Sequence, residues 1–247
     1  MTFENDHLVN GFGNVLISSR SLAEYRAMFA LTDDDLSVRI LDCPSGGSSF
    51  TSEVSNLGGD VTACDAAYLG NSPDNLAAIA LSETDRGNQY VRTHAEEYDW
   101  TFFADPDEHQ QLRQHAAQQF AAHIRQHPGH YIPGRLPALP FPDNSFDLVL
   151  SSHLLFSYAD SLDHAFHVDA ISELMRVTSG ELRIFPLVAI GSAEPYSQLV
   201  DLLSNLRVRG IAGRKVGVDY NFQKGANHML VCHHGRTRHS EFRVTRE

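Results

Sequence analysis

The chain has 247 residues, 42% of them hydrophobic, which suffices for a sizeable core and a single α/β domain with an appendage. Nineteen Lys and Arg against thirty-one Asp and Glu give a net charge of −12, which repels phosphate backbones and argues against a nucleic-acid partner. No apolar run approaches the ~20 residues of a membrane span, and Met1-Thr2-Phe3-Glu4-Asn5-Asp6 lacks signal-peptide character, so a cytoplasmic protein without a membrane partner is expected.

In chain order, Leu22, Tyr25, Met28 and Phe29 recur at helical spacing and predict an amphipathic helix over Ser19 to Ala30, lying against the ligand end of a sheet. Val38 to Leu41 and Val61 to Asp65 read as the first two strands, buried and parallel. Cys43, Cys64 and Cys232 are an odd set without metal-like pairing and read as buried, reduced thiols. Ser72-Pro73-Asp74 opens a helix, with serine as cap and proline at its first position.

From Asp65 to a third strand near His130-Tyr131-Ile132 the chain runs about 60 residues, roughly twice an ordinary βα crossover. The excess predicts an insertion at 84–128. Its main helix is capped at Asp105-Pro106-Asp107-Glu108 and carries Leu112, Ala116, Phe120 and Ile124 on one face. Tyr98, Trp100, Phe102 and Phe103, just before it, either anchor the helix or face a ligand.

Phe146 to Leu150 reads as a buried strand, Asp163 to Val177 as a helix, Gly180 to Leu187 as a strand and Pro195 to Leu206 as a helix. Val216 to Phe222 and His228 to Cys232 read as a closing hairpin around Gln223 to Asn227. Arg236, Arg238, Arg243 and Arg246 form a basic end, read as a solvated terminus.

The most informative stretch is Asp42-Cys43-Pro44-Ser45-Gly46-Gly47-Ser48-Ser49, between the first strand and the next helix, with Asp65 ending the second strand. Small residues let a ligand approach the backbone there, and a carboxylate about 20 residues on accepts hydrogen bonds from a ribose. A dinucleotide requires three glycines, and only Gly46 of the alternate positions is kept.

The loop resembles motif I (D-x-G-x-G-x-G) of class I S-adenosylmethionine (SAM)-dependent methyltransferases. Leu139-Pro140-Phe141-Pro142-Asp143-Asn144-Ser145-Phe146-Asp147-Leu148-Val149 is similar to a segment of their ubiquinone/menaquinone C-methylase-like branch. The resemblance implies one Rossmann-like domain over 1–247: a seven-stranded, mostly parallel sheet with a terminal antiparallel hairpin. It also implies a helical cap over 1–36 and a helical lid at 84–128. The implied activity is methyl transfer from SAM to a small-molecule acceptor by in-line displacement.

Two alternatives use the same site. In methyltransferase-like azetidine-2-carboxylate synthases the α-amine of SAM attacks its own γ-carbon and expels methylthioadenosine. A non-catalytic SAM-binding protein is the other. The oligomeric state stays open.

By the same resemblance Asp65 holds the ribose, Gly46 and Gly47 admit the methionine and ribose parts, and Asp42 orients the loop and receives the ammonium through water. Pro44 and Ser48 replace glycines and stiffen the loop. Arg135 and Leu136 stand where an adenine-binding aspartate is common; a guanidinium stacks on the ring and leucine packs against it.

Ser151, Ser152 and His153 follow the fourth strand, where the resemblance implies residues facing the transferable group. His153 is a candidate general base, as imidazole titrates near neutrality, with a structural histidine bonded to a backbone carbonyl as the slightly favoured alternative. Tyr25, Tyr68, Tyr158 and Tyr220 are candidates for surrounding a sulfonium. His123 and His127 lie one helical turn apart, without the glutamate of H-E-x-x-H or a third ligand, so no metal is expected.

Overall fold

The computed structural model describes residues 15–235; the polar start and the basic arginines from 236 onward lie outside them. A seven-stranded sheet runs in the order β3-β2-β1-β4-β5-β7-β6. Its strands are β1 (Arg39–Asp42), β2 (Asp60–Asp65), β3 (Tyr131–Pro133), β4 (Phe146–Ser152), β5 (Thr178–Phe185), β6 (Ile211–Gly217) and β7 (His228–His234). The first five are parallel, and β7 lies antiparallel between β5 and β6.

The helices are α1 (Leu22–Phe29), α2 (Phe50–Asn56), α3 (Pro73–Thr93), α4 (Pro106–Gln126), α5 (His164–Arg176) and α6 (Leu199–Val208). Both faces of the central strands are covered, which is why β1 and β4 read as continuous apolar runs. The alternation appears in which neighbours each side chain meets. Leu41, Val149, Leu182 and Leu230 pack with α5 and α6. Ile40, Leu148, Leu150 and Val231 pack on the other face with α1 and α2. Cys43, Cys64 and Cys232 are buried free thiols.

Helix α1 begins at a capping box in which Ser21 and Glu24 each satisfy the other's backbone N–H. The expected caps of α3 and α4 also form: Ser72 accepts from Asn75 N, and Asp105 from Asp107 N and Glu108 N. These two helices fill the long β2–β3 connection and pack against each other around Ala77, Ala80, Phe120 and Ile124.

Several boundaries differ from the sequence reading: α1 spans Leu22–Phe29 rather than Ser19 to Ala30, and α3 runs unbroken through position 84, where the insertion was expected to begin. Helix α6 starts at Leu199 rather than Pro195, because Pro195 bridges to Val188 and Tyr196 N bonds Leu187 O. Strand β5 begins two residues early, at Thr178. Strand β6 starts at Ile211 and ends at Gly217, so Val218 to Phe222 is not strand. That segment leaves the sheet and tucks Tyr220 and Phe222 into the core beside Phe103.

Candidate active site

The strand ends β1, β2 and β4 open onto a cleft of about 430 Å³, within the range of about 300–1,000 Å³ usual for small-molecule sites. Its floor is the loop after β1. Gly46 has φ +59°, a left-handed conformation natural to glycine, and a Cβ there would stand 3.1 Å from Ser18 O. The loop is fixed from both sides. The Asp65 carboxylate accepts from Gly46 N at 2.8 Å and from Ala67 N at 2.8 Å, while the Tyr68 hydroxyl donates to Gly46 O at 2.7 Å. Burial raises the Asp65 pKa above the usual carboxylate range.

Asp42 is fully buried beneath this loop, and the Tyr25 hydroxyl lies 3.0 Å from each of its oxygens. Burial raises the Asp42 pKa to about 7, a rise that the neighbouring Ser45 hydroxyl and the hydrogen bond from Tyr25 oppose and the nearby Asp65 charge reinforces. Tyr25 in turn stacks on Phe50 at 4.4 Å between ring centres.

Among the sequence candidates, Tyr25, Pro44, Gly46, Asp65, Arg135, Leu136, Ser152 and His153 all line the cleft. Three do not. Asp42 reaches it only through Tyr25 and the loop. Gly47 faces α3, where a Cβ would meet that of Ala80 at 2.8 Å. Ser151 is buried, and the two-residue period of β4 puts it on the opposite face from Ser152.

Of the tyrosines, Tyr68 braces the loop from the α3–α4 side. Tyr158 and Tyr220 instead line a second cavity of about 100 Å³ behind the cleft. Of the insertion aromatics, Tyr98 lines this cavity, and Phe103 is fully buried against Phe222 and anchors α4.

The two spaces share Leu16, Ser18, Arg20 and His153 as a common wall. His153 has φ +50°, an unusual conformation for a residue with a side chain, fixed by its N–H on Phe185 O at 2.7 Å. Its Nδ1 lies 2.8 Å from Ser152 Oγ. Burial lowers its pKa well below that of a free imidazole, and the charges of Arg20 and Arg113 lower it further. The residue is therefore a neutral imidazole at neutral pH, and a weaker base than its type suggests.

Behind this wall sits a buried ion pair. Glu24 and Arg113 are 2.7 Å apart with almost no exposure, and Glu24 also accepts from the Tyr220 hydroxyl at 3.0 Å. Arg113 further donates to Ser19 O and to His109 Nε2. His109 stacks on Phe222, and its pKa is pushed down to about 2 by burial and by Arg113. Arg20 has no ion-pair partner among the described residues. Its Nη1 donates to Ser18 Oγ, and its Nε is buried without a partner.

Sequence reasoning missed Arg20, Asn88, His109 and Arg113. The signal for three of them was present: Asn88 in α3 and His109 and Arg113 in α4 fall on the buried stripes of their helices, where apolar residues belong. Arg20, one residue before a helix cap, carries no such signal.

The His123 and His127 rings lie 4.7 Å apart between centres and tilted at 42°, with His130 5.5 Å from His123, and His123 Nδ1 meets the Tyr131 hydroxyl at 2.8 Å. Among the described residues no group of His, Cys, Asp or Glu has metal-binding geometry, and no helix is long and apolar enough to cross a membrane.

A protein-family model described as "Methyltransferase domain" matches residues 104–181. An uncharacterised protein of Methanocaldococcus jannaschii, MJ0045, is 29% identical over 219 residues, spanning 88% of this chain and 96% of its own. Solved structures of similar fold include a SAM-dependent methyltransferase of Methanosarcina mazei, 14% identical, covering 87% of this chain and 97% of that one (TM-score 0.44). The 1,6-didemethyltoxoflavin-N1-methyltransferase of Burkholderia thailandensis is also 14% identical and covers 87% and 79% (TM-score 0.47). With its strand order, its terminal antiparallel hairpin and the matched segment, the chain has the class I SAM-dependent methyltransferase fold.

Proposed function

We propose that the protein transfers the methyl group of SAM to a small-molecule acceptor. One observation carries the transfer reading: a second cavity adjoins the cofactor cleft across His153 and Arg20, so a second molecule has a place beside the reacting group.

The cleft fits the cofactor's chemistry. Asp65 keeps acceptor capacity beyond the two backbone N–H groups it binds, suited to a ribose diol. Gly46 leaves the floor open to the methionine part. The Ser45 Oγ is buried, unpartnered and part of the lining, available to a polar ligand atom. Asp42, once ionised, favours an ammonium above the loop. Leu136 packs on the adenine, and the exposed Arg135 covers it from the mouth.

When bound, SAM supplies an electrophilic methyl on a sulfonium, and the protein's part is to align, shield and deprotonate. Holding nucleophile and methyl at near-attack distance supplies much of the acceleration. As the acceptor–methyl bond forms, the sulfur–methyl bond breaks and S-adenosylhomocysteine leaves, while the acceptor's proton passes to His153. Ser152, 2.8 Å from Nδ1, fixes the ring's orientation. Tyr25 keeps the loop in place through Asp42. The α1 cap and the α3–α4 insertion act as a lid that excludes water.

Incubation with SAM and a panel of small acceptors, read by mass spectrometry, tests this. Acceptor-dependent S-adenosylhomocysteine supports transfer. Methylthioadenosine from SAM alone would establish the cyclisation alternative instead, which needs no second cavity. Binding without turnover across the panel would leave a SAM-binding protein without catalysis.

A further inference from the structure

We propose that the second cavity takes an acceptor bearing a carboxylate, held by the Arg20 guanidinium and the Asn88 amide, so that the substrates are small organic acids with an apolar or aromatic body. This rests on the transfer reading and names the substrate class of that same site.

The charges around the cavity leave one cation over. Arg113 is matched by Glu24, and Glu83 by Arg86. Both lining histidines, His109 and His153, are held neutral by burial and by neighbouring guanidiniums. Arg20 stays without a carboxylate among the described residues, its Nε buried and unpartnered.

Asn88 supplies a second, independent donor. It is 4% exposed and lines the same small cavity, and its Nδ2 is buried without a hydrogen-bond partner. Two orphaned donors in one confined space each cost desolvation energy, which an anionic ligand recovers as charge-assisted hydrogen bonds. Leu16, Val91, Tyr98 and Phe222 surround them with apolar surface for the rest of the molecule. Asn88 lines this cavity and not the cofactor cleft, which sets the anion site on the acceptor's side. An anion beside Arg20 also offsets the positive field on His153, so acceptor binding strengthens the base that deprotonates it.

The test measures binding of benzoate and phenylacetate, against benzamide and phenylacetamide, to protein saturated with S-adenosylhomocysteine, by titration calorimetry. At least one acid is expected to bind tenfold or more tightly than its amide, and Arg20→Gln is expected to abolish that preference. Asn88→Asp, which places a competing carboxylate in the cavity, is expected to weaken acid binding tenfold or more and leave S-adenosylhomocysteine affinity unchanged. This second variant serves should Arg20→Gln fail to fold.

Equal binding of acids and amides, or binding of neither, overturns the proposal. So does an Arg20→Gln protein that loses affinity for S-adenosylhomocysteine but not for methylthioadenosine, since the guanidinium then serves the cofactor's own carboxylate. Failure of the cofactor reading is separate: the wild-type protein would then give no heat with S-adenosylhomocysteine itself.

Discussion

The Tyr25 hydroxyl stands 3.0 Å from both oxygens of Asp42, tying the first helix to the end of the first strand directly under the ligand loop. Burial of Asp42 raises its folded pKa to about 7, against an ordinary 3.8, and the Tyr25 bond only partly opposes that rise. The folded protein then holds a proton that the unfolded chain releases between about pH 4 and 7, so stability falls as pH rises through that window. Asp42→Asn is expected to remove the decline, worth at most about 4 kcal/mol at pH 8. Urea unfolding of both proteins at pH 5 and pH 8 checks it; a parallel decline in the variant would remove Asp42 as the cause.

The same carboxylate gives ligand binding a proton signature. A cationic amino group above the loop favours the ionised acid, so S-adenosylhomocysteine should release protons on binding near pH 6. Calorimetry in buffers of differing ionisation enthalpy reads the number directly, and uptake in place of release contradicts the assignment.

The turn at Gly46 can be tested through its two constraints. Gly46→Ala places a side chain at φ +59° and 3.1 Å from Ser18 O, with an expected stability cost of about 1–2 kcal/mol. Asp65→Ala removes the acceptor for Gly46 N and Ala67 N together with the carboxylate proposed to hold the ribose. Affinity for S-adenosylhomocysteine should fall at least about tenfold, the equivalent of about 1.4 kcal/mol. Unchanged affinity in a folded Asp65→Ala protein would count against the cleft as the cofactor site.

Replacing His153 by alanine is expected to lower kcat about 100-fold, the usual scale for loss of a general base. Because burial, Arg20 and Arg113 hold this imidazole neutral well below its ordinary range, its protonation should not shape the acid limb of kcat/KM. An acid limb is instead expected from Asp42, whose pKa burial raises to about 7, in wild-type and variant alike. An acid limb that disappears with His153 would show that the imidazole titrates there after all.

The buried pair Glu24–Arg113 gives a stability prediction. Glu24→Gln leaves a guanidinium inside without its counter-charge, with an expected loss of about 3–5 kcal/mol. The apolar double replacement Glu24→Leu with Arg113→Met should recover most of it, because no isolated charge remains. Thermal unfolding of the single and double variants decides between a paired charge and mere packing.

Much of the cleft was legible in the sequence because it is local. Pro44, Gly46 and Asp65, with Asp42 beneath them, lie within two strands and one turn, and their spacing alone sets them at neighbouring strand ends. Arg135 and Leu136 follow the third strand for the same reason. The second cavity was not legible, because its walls come from before α1, from α3 and α4, and from the segment after β6. The period-two reading of Val216 to Phe222 was overridden there by packing: Tyr220 bonds Glu24 and Phe222 stacks on His109, and neither contact is encoded near it in sequence. Asn88, His109 and Arg113 were visible as polar residues on apolar stripes, a pattern that marks a helix face turned toward a buried polar site.

Glu24 bonds Ser21 in its own helix, Arg113 in the insertion and Tyr220 after β6, segments nearly two hundred positions apart in the chain. No one of these three can swing away without stranding a charge or a hydroxyl from which water is excluded. These three segments are therefore fastened at a single carboxylate, so a substitution that loosens one of them is expected to loosen the other two with it.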